Sequence, residues 1–195
     1  MQVASIKVSP ARANHEAGFN LIEAAIVLGI VGLIVGGIWA AAGAAYENMR
    51  LQNASKQLLA LVGGIRGFYA QNPTDVVDTN IDNLYGFGIL PADMVVVNGT
   101  THELRHPWGD SVTIATTTLG GSAFTISYTG MKADSCKNFV TRVGNVARGS
   151  GLLIASPDGS AEWLNLYNDP AQTNSTVPAC DANGGSPSFT FSVRG

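Results

Sequence analysis

Three residues in the middle of the chain, His102, Glu103 and His106, have the types and spacing of a zinc-protease site. That chemistry needs a helix, because helical spacing brings both histidines to one metal ion and leaves the glutamate as general base. Pro107 follows directly and disfavours helical geometry at His106. In an extended strand the histidines would stand about 13 Å apart, too far for one zinc ion. The sequence therefore predicts strand and loop here, with no catalytic residue, metal or cofactor.

The two cysteines, Cys136 and Cys180, both lie in the C-terminal third. No CxxC or Cys/His cluster accompanies them, which argues against a zinc site. They are expected to form a disulfide if the domain leaves the cytoplasm, and to be unrelated thiols if it does not. The choice depends on the N-terminal segment.

The composition of this 195-residue chain is apolar, with 46% hydrophobic and 13% charged residues. No charged residue occurs from Ala24 to Tyr46, and a helix over that stretch would be roughly 35 Å long, enough to cross a bilayer core. Lys7 and Arg12 precede it, which predicts a cytoplasmic leader and an exported C-terminal domain. The net charge of −3 argues against a nucleic-acid partner, because nucleic-acid surfaces are usually basic.

Glu23 lies at the N-terminal edge of this apolar run, after Phe19, Leu21 and Ile22. An acid near the end of a membrane helix costs about 2–3 kcal/mol before any relief by snorkelling, so it normally has a function. The simpler alternative is a glutamate that only marks the membrane edge.

The residues Gly18-Phe19-Asn20-Leu21-Ile22-Glu23 resemble the processing site of type IV prepilins, which is most commonly Gly-Phe-Thr-Leu-Ile-Glu. In that family a membrane aspartyl peptidase cuts after the glycine and methylates the new N-terminal residue. The resemblance implies a cut between Gly18 and Phe19, with Glu23 as the fifth residue of the mature chain. Asn20 replaces the usual threonine and leaves the cut site intact.

Two features resemble the type IVb branch, such as the toxin-coregulated and thin conjugative pilins, more than type IVa. They are the 18-residue leader and an apolar segment with the sequence Val27-Leu28-Gly29-Ile30 and no proline. Phe19 departs partly from that branch, whose subunits often begin with another apolar residue. Type IV pilins close a C-terminal region with one disulfide, so the resemblance also implies a Cys136–Cys180 pair.

The apolar segment has small residues at positions suited to lateral helix packing: Gly29, Gly32, Gly36, Ala40 and Ala44. Such residues let helices approach closely where no hydrophobic effect drives them together. A generic glycine-rich anchor is the alternative. Glu23 is expected to set the axial register of assembly, because a desolvated charge needs its partner, here the new amine of Phe19.

The helix is expected to run from Phe19 to about Gln71, before Pro73. Its second half is amphipathic, with apolar residues near one side: Met49, Leu51, Ala54, Leu58, Leu61, Val62, Ile65 and Phe68.

The rest of the chain has the pattern of short strands and one helix. Residues 73–93 read as a connecting segment. Three hairpins are predicted, with turns at Asn98-Gly99, Leu119–Gly121 and Asp158-Gly159, followed by a final strand over 189–194. Asp134 or Ser135 would cap a helix to about Arg148 that turns Phe139, Val140, Val143 and Val146 inward. Trp108 is expected to fix a turn to the core.

The predicted fold is α+β: a long N-terminal helix, membrane-spanning in its first half, packed on an antiparallel sheet with a smaller helix and a disulfide-closed C-terminal region. The expected parts are a cleaved leader (1–18), a membrane or fibre-core half of the helix (19–46), its amphipathic half (47–72) and a globular head (73–195).

The resemblance implies a structural subunit of a type IV pilus, expected to be the major one. Its expected partners are further copies of itself, the prepilin peptidase, the inner-membrane assembly platform and a host or neighbouring cell surface. It implies an inner-membrane precursor and then an extracellular fibre of a Gram-negative bacterium, used for adhesion, aggregation or mating contact. The alternatives are a type II secretion pseudopilin, a receptor-binding minor pilin and, on the His102–His106 motif alone, a zinc protease.

Overall fold

The computed structural model describes residues 20–71, 80–117, 123–156, 164–165, 180 and 185–193. Its helices are α1 (Leu21–Gln71), α2 (Ile81–Gly86) and α3 (Ala133–Val146), and a 3-10 turn follows at Ala147–Ser150. Its strands are β1 (Val95–Asn98), β2 (Thr101–Arg105), β3 (Ser111–Thr117), β4 (Ala123–Tyr128), β5 (Leu152–Ser156), β6 (Leu164–Asn165) and β7 (Ser188–Ser192). The chain divides into two compact units, Met1–Gly43 and Ala44–Gly195.

The first unit contains the apolar part of α1. Asn20 caps the helix, because its side-chain oxygen accepts the backbone N–H of Ile22 at 3.3 Å. Every large apolar side chain from Leu21 to Trp39 is exposed, Leu21 by 85% and Trp39 by 74%. Within the described residues, α1 is the one helix long and apolar enough to cross a membrane.

In the second unit, α1 supplies one side of the core. Its buried apolar residues recur at helical spacing, and those that confirm the predicted face are Leu51, Ala54, Leu58, Leu61, Val62 and Ile65. Tyr69 was not predicted and is buried in the same cluster. Phe68 is half-buried against the same core. The prediction for Met49 is wrong, because its side chain is 59% exposed.

The strands form one antiparallel sheet in the order β1-β2-β3-β4-β7-β5-β6. The C-terminal strand β7 therefore lies inside the sheet, between β4 and β5. The strand pairs β1–β2, β3–β4 and β5–β6 were predicted as hairpins, and the structure confirms these pairings. The predicted turns at 119–121 and 158–159 lie outside the described residues.

The core joins this sheet to α1 and α3 in one hydrophobic cluster. Phe139 of α3 lies at its centre, with ring centroids 4.9 Å from Tyr128 on β4 and 5.3 Å from Phe189 on β7. Cys136 and Cys180 form a disulfide that ties the first turn of α3 to the segment before β7. The predicted α+β class and its disulfide are thus confirmed.

Two local predictions are wrong. Residues 73–93 were predicted as a connecting segment without a helix, but α2 forms there, and the Asn80 side chain caps it by accepting the N–H of Asp82 at 2.9 Å. The expected cap at Asp134 or Ser135 is also incorrect. Helix α3 starts at Ala133, two residues before the start that an Asp134 cap would give, and its N-cap residue Lys132 makes no side-chain capping bond.

The far end of α3 also differs from the expectation. Phe139, Val140 and Val143 are buried as predicted, but Val146 is 58% exposed. The helix ends at Val146, and a 3-10 turn replaces its predicted continuation to Arg148.

Arg66 connects α1 to the start of β5 and the end of β7, which are neighbours in the antiparallel sheet. Its guanidinium donates to the Ser150 carbonyl oxygen at 2.6 Å and to the Ser192 hydroxyl at 3.2 Å. Burial lowers the pKa of this guanidinium from its ordinary value. Because Ser150 precedes β5 and Ser192 ends β7, one side chain holds α1 to the middle of the sheet.

Gly64 permits a close approach of α1 to the loop after α2, and Gly64→Ala tests this. A Cβ at position 64 would stand 2.6 Å from the carbonyl oxygen of Ile89, whereas one at Gly63 would meet nothing within 4 Å. We expect Gly64→Ala to lower the free energy of unfolding by about 1–3 kcal/mol through overpacking. Gly63→Ala should raise it by up to about 1 kcal/mol through helix propensity. Urea unfolding of the two variants checks this, and equal effects would contradict the packing.

Removing the disulfide should destabilise the head. The crosslink spans 44 residues of sequence, and loop-closure entropy gives a loss of about 4 kcal/mol for Cys136→Ser with Cys180→Ser. The measurement is urea unfolding of the variant beside the oxidised protein. A reductant should destabilise the oxidised protein and leave the double variant unchanged. An unchanged midpoint in the variant would show that the bond does not constrain the fold.

Candidate functional site

The processing motif is only partly within the described residues. Gly18 and Phe19 lie outside them, whereas Glu23 lies in the first turn of α1 and its side chain is exposed. A carboxylate interacts favourably with the N-terminal end of a helix dipole. Glu23 makes no ion pair within the described part of this chain. Its charge is therefore open to a partner from outside those residues.

The small residues of the apolar segment have no close packing partner among the residues that the structure describes. A Cβ built at Gly29, Gly32 or Gly36 would meet nothing within 4 Å, and Ala40 and Ala44 are exposed. Within the described residues, no contact requires these positions to be small. Glycine in a helix interior costs roughly 0.5–1 kcal/mol relative to alanine, so their presence calls for an external reason.

The histidines of the protease-like motif point to different partners. His102 lies on β2, where its ring Nδ1 is 2.7 Å from the Asp82 carboxylate and its ring stacks on Tyr85 at 3.9 Å. The hydrogen bond from the His102 ring and a second one from its backbone N–H, at 2.8 Å, lower the pKa of Asp82. His106 lies beyond the strand, is only 3% exposed and contacts the Thr129 carbonyl. The strand prediction is confirmed, and the helix that zinc binding would need is not formed.

A polar cluster that the sequence analysis missed joins α1 to the head. One carboxylate oxygen of Glu47 accepts the indole N–H of Trp108 at 2.9 Å and the hydroxyl of Ser135 at 2.5 Å. Trp108 follows β2 in a turn, and Ser135 lies in the first turn of α3. The glutamate therefore fixes two separate segments to one turn of α1.

Part of this cluster could be expected from sequence. Trp108 was predicted to fix a turn to the core, and its ring packs edge-on at 6.1 Å from Phe139. No local pattern indicated its polar partner, because Glu47 is 61 residues away in sequence. Glu47 does begin the charged part of α1, directly after the uncharged stretch, and that position was the one available signal.

An apolar N-terminal helix with an acid in its first turn, continuing into a disulfide-closed α+β head, defines the class of type IV pilin subunits. The family model described as Bundlin matches residues 43–190. The chain belongs to the Bundlin family. Membership confirms the prediction that this chain is a type IV pilin of the IVb branch. It is a structural subunit of a pilus and not an enzyme.

Similar proteins include two curated relatives, each named "Major structural subunit of bundle-forming pilus". The one from Escherichia coli O111:H- is 22% identical over 168 residues, 85% of either chain. The one from Escherichia coli O127:H6 (strain E2348/69 / EPEC) is 21% identical over the same length and shares. A solved structure, a type IV b pilin from Salmonella typhi, has a TM-score of 0.45 at 15% identity and covers 76% of this chain and 99% of its own.

Glu47→Ala should destabilise the head by roughly 2–3 kcal/mol, because it leaves the Trp108 indole and the buried Ser135 hydroxyl without their acceptor. Glu47→Gln keeps an acceptor oxygen and should cost less. Glu103→Ala is the control: its side chain is 44% exposed and pairs with Arg105, so the loss should stay below about 1 kcal/mol. Urea unfolding measures all three, and equal losses for Glu47→Ala and Glu103→Ala would contradict the anchoring role.

Proposed function

We propose that this chain is the major, repeating subunit of an extracellular type IVb pilus. Its parts are then the leader 1–18, the membrane and fibre-core segment 19–46, the amphipathic segment 47–72 and the head 73–195. The observation that supports this proposal most directly is the apolar segment from Leu21 to Trp39, in which every large apolar side chain is exposed. Family membership and the names of the two relatives support it further.

Such a segment needs an apolar environment at each stage of the protein's life. Each large apolar side chain gains about 1.5–3 kcal/mol when it leaves water, so the exposed row cannot remain in water. The inner membrane covers it in the precursor, and further copies of α1 cover it in the fibre. Transfer from lipid to fibre brings no new hydrophobic gain, because lipid tails are equally apolar. Close packing at the small residues, including Gly32 and Gly36, then has to favour the fibre.

Glu23 supplies the register of this assembly. We expect the prepilin peptidase to cut after Gly18 and methylate Phe19, which creates an amine that Glu23 of a neighbouring copy pairs with. Breaking a buried charge pair costs about 3–5 kcal/mol, so a wrong axial step is disfavoured on the order of a hundredfold or more. The same pairing would guide addition of each copy by the inner-membrane assembly platform. Contact with a host or neighbouring cell would involve the head, which the fibre displays.

Replacing Glu23 tests this assembly step in the producing bacterium. Glu23→Gln removes the charge while keeping the side-chain shape, and we expect processing at Phe19 to continue while sheared fibre falls at least tenfold, on the order of one lost charge pair. Glu103→Gln is the charge-matched control on the exposed head and should retain fibres. The measurements are the mass of the membrane-bound subunit and the amount of sheared fibre. Normal fibre yield from Glu23→Gln would overturn the register role.

A further inference from the structure

The imidazole of His106 is buried with both ring nitrogens in use. Nε2 is 2.8 Å from the carbonyl oxygen of Thr129, and Nδ1 accepts the backbone N–H of Trp108 at 3.2 Å. A carbonyl accepts only, and a backbone N–H donates only. The two contacts therefore require one species: the neutral imidazole with its proton on Nε2.

This imidazole is the first member of a chain of hydrogen bonds that ends on α1. His106 holds the backbone of Trp108, and the Trp108 indole donates to Glu47. Ser135 of α3 donates to the same carboxylate oxygen. The Gly109 N–H donates to the His106 carbonyl at 2.8 Å and closes the turn after β2, so His106 holds this turn through its backbone as well as its ring.

A second proton on the imidazole would break this arrangement. A proton on Nδ1 would face the Trp108 N–H, so that two donors would meet, and it would place a charge in a buried site. The titratable groups around the ring are Asp110 on its own turn, Tyr128 of β4 with its ring 5.7 Å away, and Glu47 of α1 through Trp108. From α3, Ser135 contacts Glu47 and Phe139 contacts the Trp108 ring, and neither side chain is charged. Neither acid forms a direct ion pair with the imidazole in the described structure.

We propose that the His106–Trp108–Glu47 chain is an acid-sensitive latch, in which protonation of His106 releases the turn after β2 from α1. The latch is closed while the imidazole is neutral. When it opens, the Trp108 indole leaves Glu47, and the first turn of α3 loses a shared anchor. Mild acid would thus loosen the head where three segments meet, independently of whether the subunit is in a fibre.

The direction of the pH effect follows from the state of His106 in the fold. Burial lowers the pKa of His106, and this effect exceeds the opposite influences of the Thr129 carbonyl and the Asp110 carboxylate. The unfolded chain, with an ordinary histidine pKa of about 6.5, then binds the proton more readily than the folded one. The histidine therefore leaves stability unchanged well above that pH and reduces it as the pH falls below it.

The test is an NMR titration of the full mature chain, nitrogen-labelled and held in detergent micelles, between about pH 7.5 and about pH 5. The imidazole nitrogens report the tautomer, and the Trp108 indole N–H reports the latch; Trp108→Phe assigns that signal. We expect the Nε2–H tautomer at neutral pH. On acidification, the indole signal should shift and its hydrogen exchange should accelerate by about tenfold or more, with a midpoint below about pH 6.5.

Two variants separate His106 from the neighbouring acids. His106→Gln cannot titrate, so the indole response should disappear. Glu47→Gln cannot titrate either, but it should leave the imidazole midpoint in place. If His106→Gln does not fold, the titration of the His106 ring nitrogens in the wild-type chain, compared with that of the Trp108 indole, tests the proposal by itself. An indole signal that is constant over this range, or one that shifts while the imidazole stays neutral, would overturn the proposal.

Discussion

The structure depends on one constraint, which is that a single helix must meet two different environments along its length. From Leu21 to Trp39 the large apolar side chains of α1 are exposed in all directions. From Leu51 to Tyr69 the buried residues recur at three- and four-residue spacing and complete the core of the head. The composition changes at Glu47 and Arg50, where charge first returns. That short stretch also makes the polar contact with Trp108 and Ser135, so the change of environment and the anchoring of the head coincide.

The head is arranged to hold the second half of α1 firmly. The C-terminal strand β7 is inserted between β4 and β5, which makes the sheet depend on residues distant in sequence. The disulfide fixes α3 near that strand, and Arg66 holds both Ser150 and Ser192. Each device reduces the freedom of a segment that local propensity alone would leave loose. In the proposed assembly α1 forms the fibre core, and this requires a head that stays folded on the second half of α1.

Patterns of short range predicted much of this fold. Helical periodicity gave the extent of α1 and most of its buried face, and alternating strands with turn residues gave the three hairpins. Pairing between strands distant in sequence could not be predicted, because nothing near Ser188 indicates that its strand enters the middle of the sheet. The predicted burial of Met49 and Val146 was wrong because periodicity places a residue on one face of a helix but does not say where along the helix the packing ends. The short helix α2 was missed because its signal is one capping asparagine, Asn80.

The candidate site likewise has one part that local sequence indicates and one part that it does not. The motif around Gly18, Phe19 and Glu23 could be read from the sequence because the proposed processing enzyme would act on contiguous residues. The Glu47 cluster joins residues 61 and 88 positions apart, and no local pattern encodes such a partner. The motif formed by His102, Glu103 and His106 shows the reverse case, since its spacing is local but its backbone is extended. Spacing indicates chemistry only together with the element that presents it.

The proposal that this chain is a processed subunit of an extracellular fibre is tested most directly on protein sheared from the cell surface. The measurements are its intact mass and its N-terminal sequence. If the subunit is processed and exported as proposed, the recovered chain begins at methylated Phe19, lacks residues 1–18 and has Cys136 and Cys180 oxidised. Recovery from the surface would place the chain in an extracellular fibre, and the methyl group would report the peptidase. A chain that remains with the cell, retains residues 1–18 and has two free thiols would contradict the proposed processing and export.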